Sequence, residues 1–324
     1  MVEFMIFCNC FYPVFNIYLT ENQRFSMGNT MKNLSLYVIT VLVWGSTWIA
    51  IKYQLGSVDP MVSVIYRFGL ASFLLFLFCK VRGLRLKFSL QEHFFMGILG
   101  LFLFSLNYWL VYLAEVHLTS GLVAVIFSSI VFFNIANGAI FMGAPLERRM
   151  MVGALTGIIG ILFIFMPELQ SFQLAETGLL GIVFGFTSVL LASFGNIISA
   201  RNTKNNIPVV QANAFGMGYG TLFLILGAIF LGKEFSFNVS IPYVGSLVFL
   251  SVFGSIIAFG SYLTLVGSIG ANKASYAIMV VPVVALIISS LVEGYSWNLS
   301  GLIGLAMVLL GNFCALRKKP GVPA

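Results

Sequence analysis

The chain has 324 residues, 60% of them hydrophobic and only 8% charged, with a formal net charge of +7 and a mean hydropathy of +1.02. Soluble domains carry roughly 25% charged residues, so this composition excludes a water-soluble globule, which could not cover so apolar a surface. A lipid bilayer removes the difficulty, because the outer face is then itself apolar, and 32 Gly with 33 Phe suit helices packed in lipid.

In chain order, residues 4–19 form an apolar run of 16 residues. That is short of the roughly 20 a spanning helix needs, and no basic stretch precedes it as in a signal peptide. Met27 and Met31 stand just before the first convincing span. Residues 1–30 are therefore expected to be an N-terminal extension outside the fold, produced by a misplaced start codon. Ten apolar spans follow, at 34–52, 61–79, 94–113, 119–142, 150–166, 178–200, 208–231, 242–266, 271–292 and 299–316. The breaks between them hold the charges, prolines and Asn/Gly clusters of loops. The expected architecture is all-α and integral to the membrane, with ten transmembrane helices.

Loop charges predict the orientation. With the first span entering from the cytoplasm, the inner segments hold Lys32, Lys80, Arg82, Arg85, Lys87, Arg148, Arg149, Arg201, Lys204, Lys273, Arg317, Lys318 and Lys319. The outer segments hold only Lys52 and Lys233, while Asp59, Glu115, Glu168, Glu176, Glu234 and Glu293 all fall outside. The positive-inside rule then puts both termini in the cytoplasm of a multi-pass protein of the plasma (inner) membrane. The same asymmetry accounts for the net charge through the anionic inner leaflet, so no nucleic-acid partner is needed. Cys8, Cys10, Cys79 and Cys314 have neither metal-ligand spacing nor a disulfide pattern. His93 and His117 stand alone at opposite ends of spans. No cofactor and no catalytic constellation is expected, so the chain does not read as an enzyme.

The sequence repeats itself at a shift of about 150 residues. Ser105 matches Ser255, Tyr112-Leu113 matches Tyr262-Leu263, Ala124 matches Ala274 and Gly45 matches Gly195. One residue of drift later, Gly153 and Gly160 match Gly304 and Gly311. The two halves, 31–167 and 177–318, hold five spans each. Five is odd, so the second half enters the membrane from the opposite side. Inverted repeats are the architecture of alternating-access carriers, with a substrate site near the midplane.

Several motifs in this order resemble the EamA-type proteins of the drug/metabolite transporter superfamily. They are Trp44-Gly45-Ser46-Thr47-Trp48 with Lys52, Pro60 with Arg67-Phe68, and Tyr112-Leu113-Ala114-Glu115 running on to Thr119-Ser120-Gly121-Leu122-Val123-Ala124. Glu293-Gly294-Tyr295-Ser296-Trp297 completes the set, and the resemblance covers roughly residues 31–317. It implies two inverted five-helix repeats and export of small metabolites such as amino acids or drugs. One departure is Gly143-Ala144-Pro145-Leu146, where the family often has Gly-Glu-Pro-Leu.

Polar side chains inside spans are the candidates for a substrate site, because lipid disfavours them elsewhere. Ser105, Tyr108 and Tyr112 are spaced for one face of span three, and Ser251, Ser255, Ala258 and Tyr262 for a matching face of span eight. Trp44 and Trp48 lie four residues apart near the middle of span one, and the interfacial belt at span ends does not account for Trp44 at least. Asn107, Asn196, Asn134 and Asn137 are mid-span amides. Tyr276 and Pro282 lie on span nine, where a proline can break the helix and free a carbonyl. For each of these, interhelical hydrogen bonding or packing is the competing reading. Arg67, the one charge well inside a span, either attracts an anionic or zwitterionic substrate, pairs with Glu115 or Glu293, or snorkels to the interface. No Asp or Glu lies deep in a span, which disfavours a proton-coupled extruder of organic cations. The expected function is export of a small neutral or zwitterionic metabolite. Multidrug or organic-cation efflux, a passive facilitator and a non-transport role remain alternatives, and so do monomer and oligomer.

Overall fold

The structure, a computed structural model, describes residues 21–118, 120–164, 166, 176–292 and 298–316. The 4–19 run, Glu168, the 293–297 motif and the basic tail 317–319 lie outside the described residues. Every element is helical: α1 (Glu21–Lys52), α2 (Pro60–Val81), α3 (Leu90–His117), α4 (Ser120–Ser128), α5 (Ile130–Met142) and α6 (Arg148–Ile164) in the first half. The second half holds α7 (Glu176–Lys204), α8 (Val209–Phe230), α9 (Ile241–Ile269), α10 (Ala271–Ala274), α11 (Tyr276–Val292) and α12 (Leu299–Leu316).

Local chemistry sets the ends. Asp59 caps α2 by accepting from the Met61 amide at 2.8 Å, and Pro60 stands at the first helical position, where its missing N–H costs nothing. Ser89 and Glu92 form a capping box at the start of α3. Gly143 ends α5 in the left-handed region, at φ 63°, a conformation glycine adopts without strain.

Among the described residues, α1, α2, α3, α7, α8 and α9 are each long and apolar enough to cross a bilayer. The other four crossings are α6, α12 and two jointed pairs. In α4–α5 the joint is Ser129, and in α10–α11 it is Ser275; both keep helical backbone angles. Tight bonds bracket the joints, such as Phe132 N–H to Ser129 O and Ile278 N–H to Ser275 O, both 3.0 Å. The result is a ten-span membrane protein built of two inverted five-helix repeats. Burial is arranged for lipid: Leu42, Phe73, Ile140, Leu155, Phe230, Leu309 and Phe313 are exposed, whereas Ser63, Arg67, Asn107, Asn134 and Asn196 are buried.

Packing follows the repeat. α1 packs on α9 and α11, and its counterpart α7 packs on α3 and on α4–α5. α2 packs on α8, and α6 on α12, each pair mapping onto itself when the halves are exchanged. The repeat-related glycines form the α6–α12 crossing. A Cβ at Gly160 would stand 2.7 Å from the Gly304 carbonyl oxygen, and one at Gly311 2.6 Å from the Gly153 carbonyl oxygen. These two contacts are images of each other.

Two features depart from the sequence-based expectations, and a third decides between two readings of Pro282. Segments Gly100–Leu106 of α3 and Leu250–Ile257 of α9 are π-helical, again at the 150-residue shift. α3 runs on to His117, so Glu115 is not an outer-loop acid but a buried residue of the span, 8% exposed. Pro282 does not break its helix: α11 continues through it, and the break falls at Ser275. A proline inside a helix still leaves the carbonyl four residues back, here Ile278, without its usual donor.

Candidate functional site: an aromatic cavity between the repeats

The π segment of α3 and the jointed helices meet around one cavity between the two repeats. Its wall takes Trp44, Thr47, Trp48 and Ile51 from α1, Arg67 from α2, and Leu103, Asn107, Tyr108 and Val111 from α3. Phe127 and Ile130 come from the α4–α5 joint, Ala192 and Asn196 from α7, Phe259 and Tyr262 from α9, and Ile278 and Val281 from α11. Both repeats contribute residues to the wall.

The aromatic side is organised around Phe259. Its ring lies 5.0 Å from Trp44, 5.0 Å from Phe104 and 5.8 Å from Tyr108, all edge-on. Trp44 also donates its indole N–H to the Gly254 carbonyl at 3.1 Å. Gly254 lies in the π segment of α9, so this bond ties α1 to that segment. Trp48 lies across from Phe127 at 6.4 Å.

Arg67 supplies the charge. It is 1% exposed, so it does not snorkel to an interface. Its Nε donates to Ser255 Oγ at 3.0 Å, and Ser251 Oγ donates to the Arg67 carbonyl at 3.0 Å. Ser255 in turn donates to Leu250 O, five residues back, at 2.9 Å. The guanidinium carbon sits 4.6 Å over the Tyr108 ring, a cation–π contact in a dry environment. No direct ion pair joins Arg67 to Glu115 among the described residues.

Amides form the remaining polar wall. Asn196 Nδ2 donates to the Tyr262 hydroxyl at 3.1 Å and to Asn134 Oδ1 at 3.4 Å. Asn107 Nδ2 donates to Leu103 O at 3.2 Å. Asn137 instead ties α5 to α7 through Ser193 at 2.9 Å. Four polar atoms on the wall have no partner among the described residues: the donors Arg67 Nη1 and Trp48 Nε1, and the acceptors Asn107 Oδ1 and Asn196 Oδ1. A buried polar atom left unpaired costs about 1–3 kcal/mol, so two donors and two acceptors of this wall stand unsatisfied among the described residues.

Of the residues expected from the sequence, Trp44, Trp48, Arg67, Asn107, Tyr108, Asn196 and Tyr262 come together in this wall. Four do not. Tyr112 points to the end of α1 and donates to Gln54 Oε1 at 2.7 Å. Tyr276 donates to the Met150 carbonyl, and its own carbonyl accepts from Tyr37 at 3.0 Å, so it fastens α11 to α6 and α1. Ser255 acts behind Arg67, and Ser105 is buried without a partner among the described residues. The physical reason for the serines is the π geometry. Both lie inside segments with i→i+5 bonding, which rotates them off the face that a 3.6-residue period assigns to them. Phe127, Phe259 and Thr47 had no distinguishing signal in so aromatic and hydroxyl-rich a sequence. Ala144 follows the end of α5, away from the cavity.

Comparison with known proteins agrees with this architecture. The family model of the EamA-like transporter family matches the chain twice, at residues 31–166 and 179–317. The chain is 26% identical over 295 residues to a protein of Archaeoglobus fulgidus named an uncharacterized transporter, covering 89% of this chain and 100% of that one. It is also 26% identical to the uncharacterized inner membrane transporter YedA of Escherichia coli, covering 83% of this chain and 87% of the relative. A solved crystal structure with 17% sequence identity superposes with a TM-score of 0.73, covering 89% of this chain and 96% of the other, and shows the same fold. With two family matches spanning nearly the whole chain, this membrane protein belongs to the EamA-like transporter family.

Proposed function

We propose that this transporter exports a small neutral or zwitterionic metabolite, such as an amino acid, by alternating access of its two inverted repeats. The observation that supports it most is the cavity wall itself: aromatic on one side, with one buried guanidinium and free amide carbonyls on the other. In this reading Arg67 Nη1 receives the substrate carboxylate, because a guanidinium matches carboxylate geometry and stays charged when buried. The free carbonyl oxygens of Asn107 and Asn196 accept from the amino group. Trp44, Trp48, Phe259 and Tyr262 hold the apolar body, whose size the cavity limits. Thr47 and Tyr108 brace the aromatic wall and the guanidinium. The protein sits in the inner membrane with both termini cytoplasmic, as the loop charges favour. A buried arginine in the wall argues against organic cations as cargo.

The test is a metabolite profile of spent medium from cells producing the intact protein, beside cells producing a Trp48→Ala, Tyr262→Ala variant at equal membrane abundance. One compound class should rise outside only with the intact protein. That compound should also show saturable counterflow in proteoliposomes, which a passive facilitator channel lacks. Matching profiles for both strains and the empty vector would remove the export reading.

A further inference from the structure

The acids at the ends of helices have evident roles. Asp59 caps α2 and meets Lys233 at 2.9 Å, Glu92 completes a capping box, and Glu147 pairs with Arg149. Glu115 has none of these. It is 92% buried near the end of α3, and its Oε1 has no hydrogen-bond partner among the described residues. An ionisable group held inside a spanning helix with one carboxylate oxygen unpartnered among the described residues calls for a functional account.

Its electrostatic surroundings are sparse. From α2, Arg67 is the charged group that acts on it. On its own helix Tyr108 and Tyr112 lie on the same side, and the His117 ring lies 6.1 Å from that of Phe184. Lys52, at the end of α1, is exposed. The other helices flanking this part of α3 are α4, which carries no titratable side chain, and α7, which begins with the acidic residue Glu176. The Arg67 guanidinium packs on the Tyr108 ring, two turns before Glu115 on the same helix, and in the carrier reading its unpartnered Nη1 is also the anchor for an anion in the cavity. One guanidinium has two claimants.

We propose that Glu115 is a proton-binding site, and that a proton and the anionic group of the substrate bind together because both depend on Arg67. The transport part of this proposal rests on the carrier reading above. When a substrate carboxylate occupies Arg67, Glu115 is left as a bare carboxylate in a low-dielectric interior, where a group neutralises rather than stays charged. It takes one proton from the aqueous phase that the site faces and becomes a carboxylic acid. When the substrate leaves, Arg67 again favours the carboxylate and the proton is released. A metal cation fits poorly: it needs several oxygen ligands, a guanidinium repels it, and no cluster of acids, histidines or cysteines exists among the described residues. Substrate and proton consequently move in the same direction, so an outward flux is opposed by acid outside the cell.

The test needs no substrate. Infrared spectra of the purified protein in lipid nanodiscs are recorded across pH for wild type, Glu115→Gln, Arg67→Met, Arg67→Lys and the Arg67→Met, Glu115→Gln double variant. Met217 occupies the position 150 residues after Arg67 and is fully buried, so methionine is an apt replacement in this fold. The expected result is a protonated-carboxyl band that Glu115→Gln removes. Arg67→Met should make it appear at higher pH, by a proton affinity raised roughly tenfold or more, and Arg67→Lys should return it towards wild type. If Arg67→Met does not insert, removal of the band by Glu115→Gln and its shift in Arg67→Lys carry the test. A band indifferent to Glu115, or a midpoint indifferent to position 67, overturns the proposal. Because this readout involves no transport, its failure is distinct from failure of the spent-medium assay.

Discussion

Replacing Gly160 with alanine tests whether the α6–α12 crossing is as close as the fold requires. The new methyl would stand 2.7 Å from the Gly304 carbonyl oxygen, 2.8 Å from Met307 Cβ and 2.9 Å from the Val308 backbone nitrogen. Ordinary contact begins at 3.4 Å, so the helices must part by 3.4 − 2.7, or about 0.7 Å. Two of the three neighbours are backbone atoms of a helix and cannot rotate away. Forcing a methyl into a packed interior costs about 1–3 kcal/mol, against a gain of roughly 0.5–1 kcal/mol from replacing a mid-helix glycine. The net expectation is a loss of about 1–2 kcal/mol. Gly245→Ala is the matched control, since nothing lies within 4 Å of its added Cβ. Thermal unfolding of both variants in the same detergent, followed by the surviving monodisperse peak, should place Gly160→Ala several degrees below Gly245→Ala. Gly311→Ala should lose a similar amount, because its Cβ meets the mirrored contact. The double variant should lose less than the sum, because one parting of the helices relieves both clashes. If Gly160→Ala is as stable as Gly245→Ala, the close crossing and the symmetry argued from it are wrong.

Arg67→Met should raise the half-saturation concentration of the substrate by roughly 10- to 150-fold, the equivalent of losing a charged hydrogen bond worth about 1.5–3 kcal/mol. Counterflow in proteoliposomes measures it, and an unchanged value would mean the guanidinium does not hold the ligand. Phe259→Ala should weaken transport and stability together, by about 3–5 kcal/mol in stability, because the ring contacts Trp44, Phe104 and Tyr108 at once. Unfolding midpoints beside flux would separate it from Trp48→Ala, which should affect flux more than stability because Trp48 is only partly buried. Acidifying the medium should slow outward flux in wild type and leave Glu115→Gln unaffected; faster efflux into acid would point to exchange instead of co-transport. Tyr276→Phe should cost about 1 kcal/mol of stability by freeing the buried Met150 carbonyl, while leaving the half-saturation concentration unchanged, since Tyr276 lies off the cavity wall.

The membrane class, the ten spans and the two-fold repeat were legible in the chain because each is a property of one-dimensional patterning. Hydropathy sets where helices cross lipid, and the shared 150-residue register of Ser105 with Ser255 and Gly153 with Gly304 records the duplicated half. The motif around Trp44 and Trp48 likewise carries the family resemblance in the chain itself. What the sequence could not decide was rotation about each helix axis, which a single extra backbone residue resets. The π segments of α3 and α9 turned Ser105 and Ser255 away from Tyr108 and Tyr262, and no residue type in those segments announces that bonding pattern. Helix length at the bilayer edge was equally hidden: Glu115 reads as a loop acid because an ionisable group ends a hydropathy peak. Only the packing of α2 and α7 against α3 buries it and sets it in the field of Arg67. The cavity wall, finally, depends on side chains from eight helical segments far apart in the chain, and their convergence is a fact of tertiary packing that no local pattern encodes.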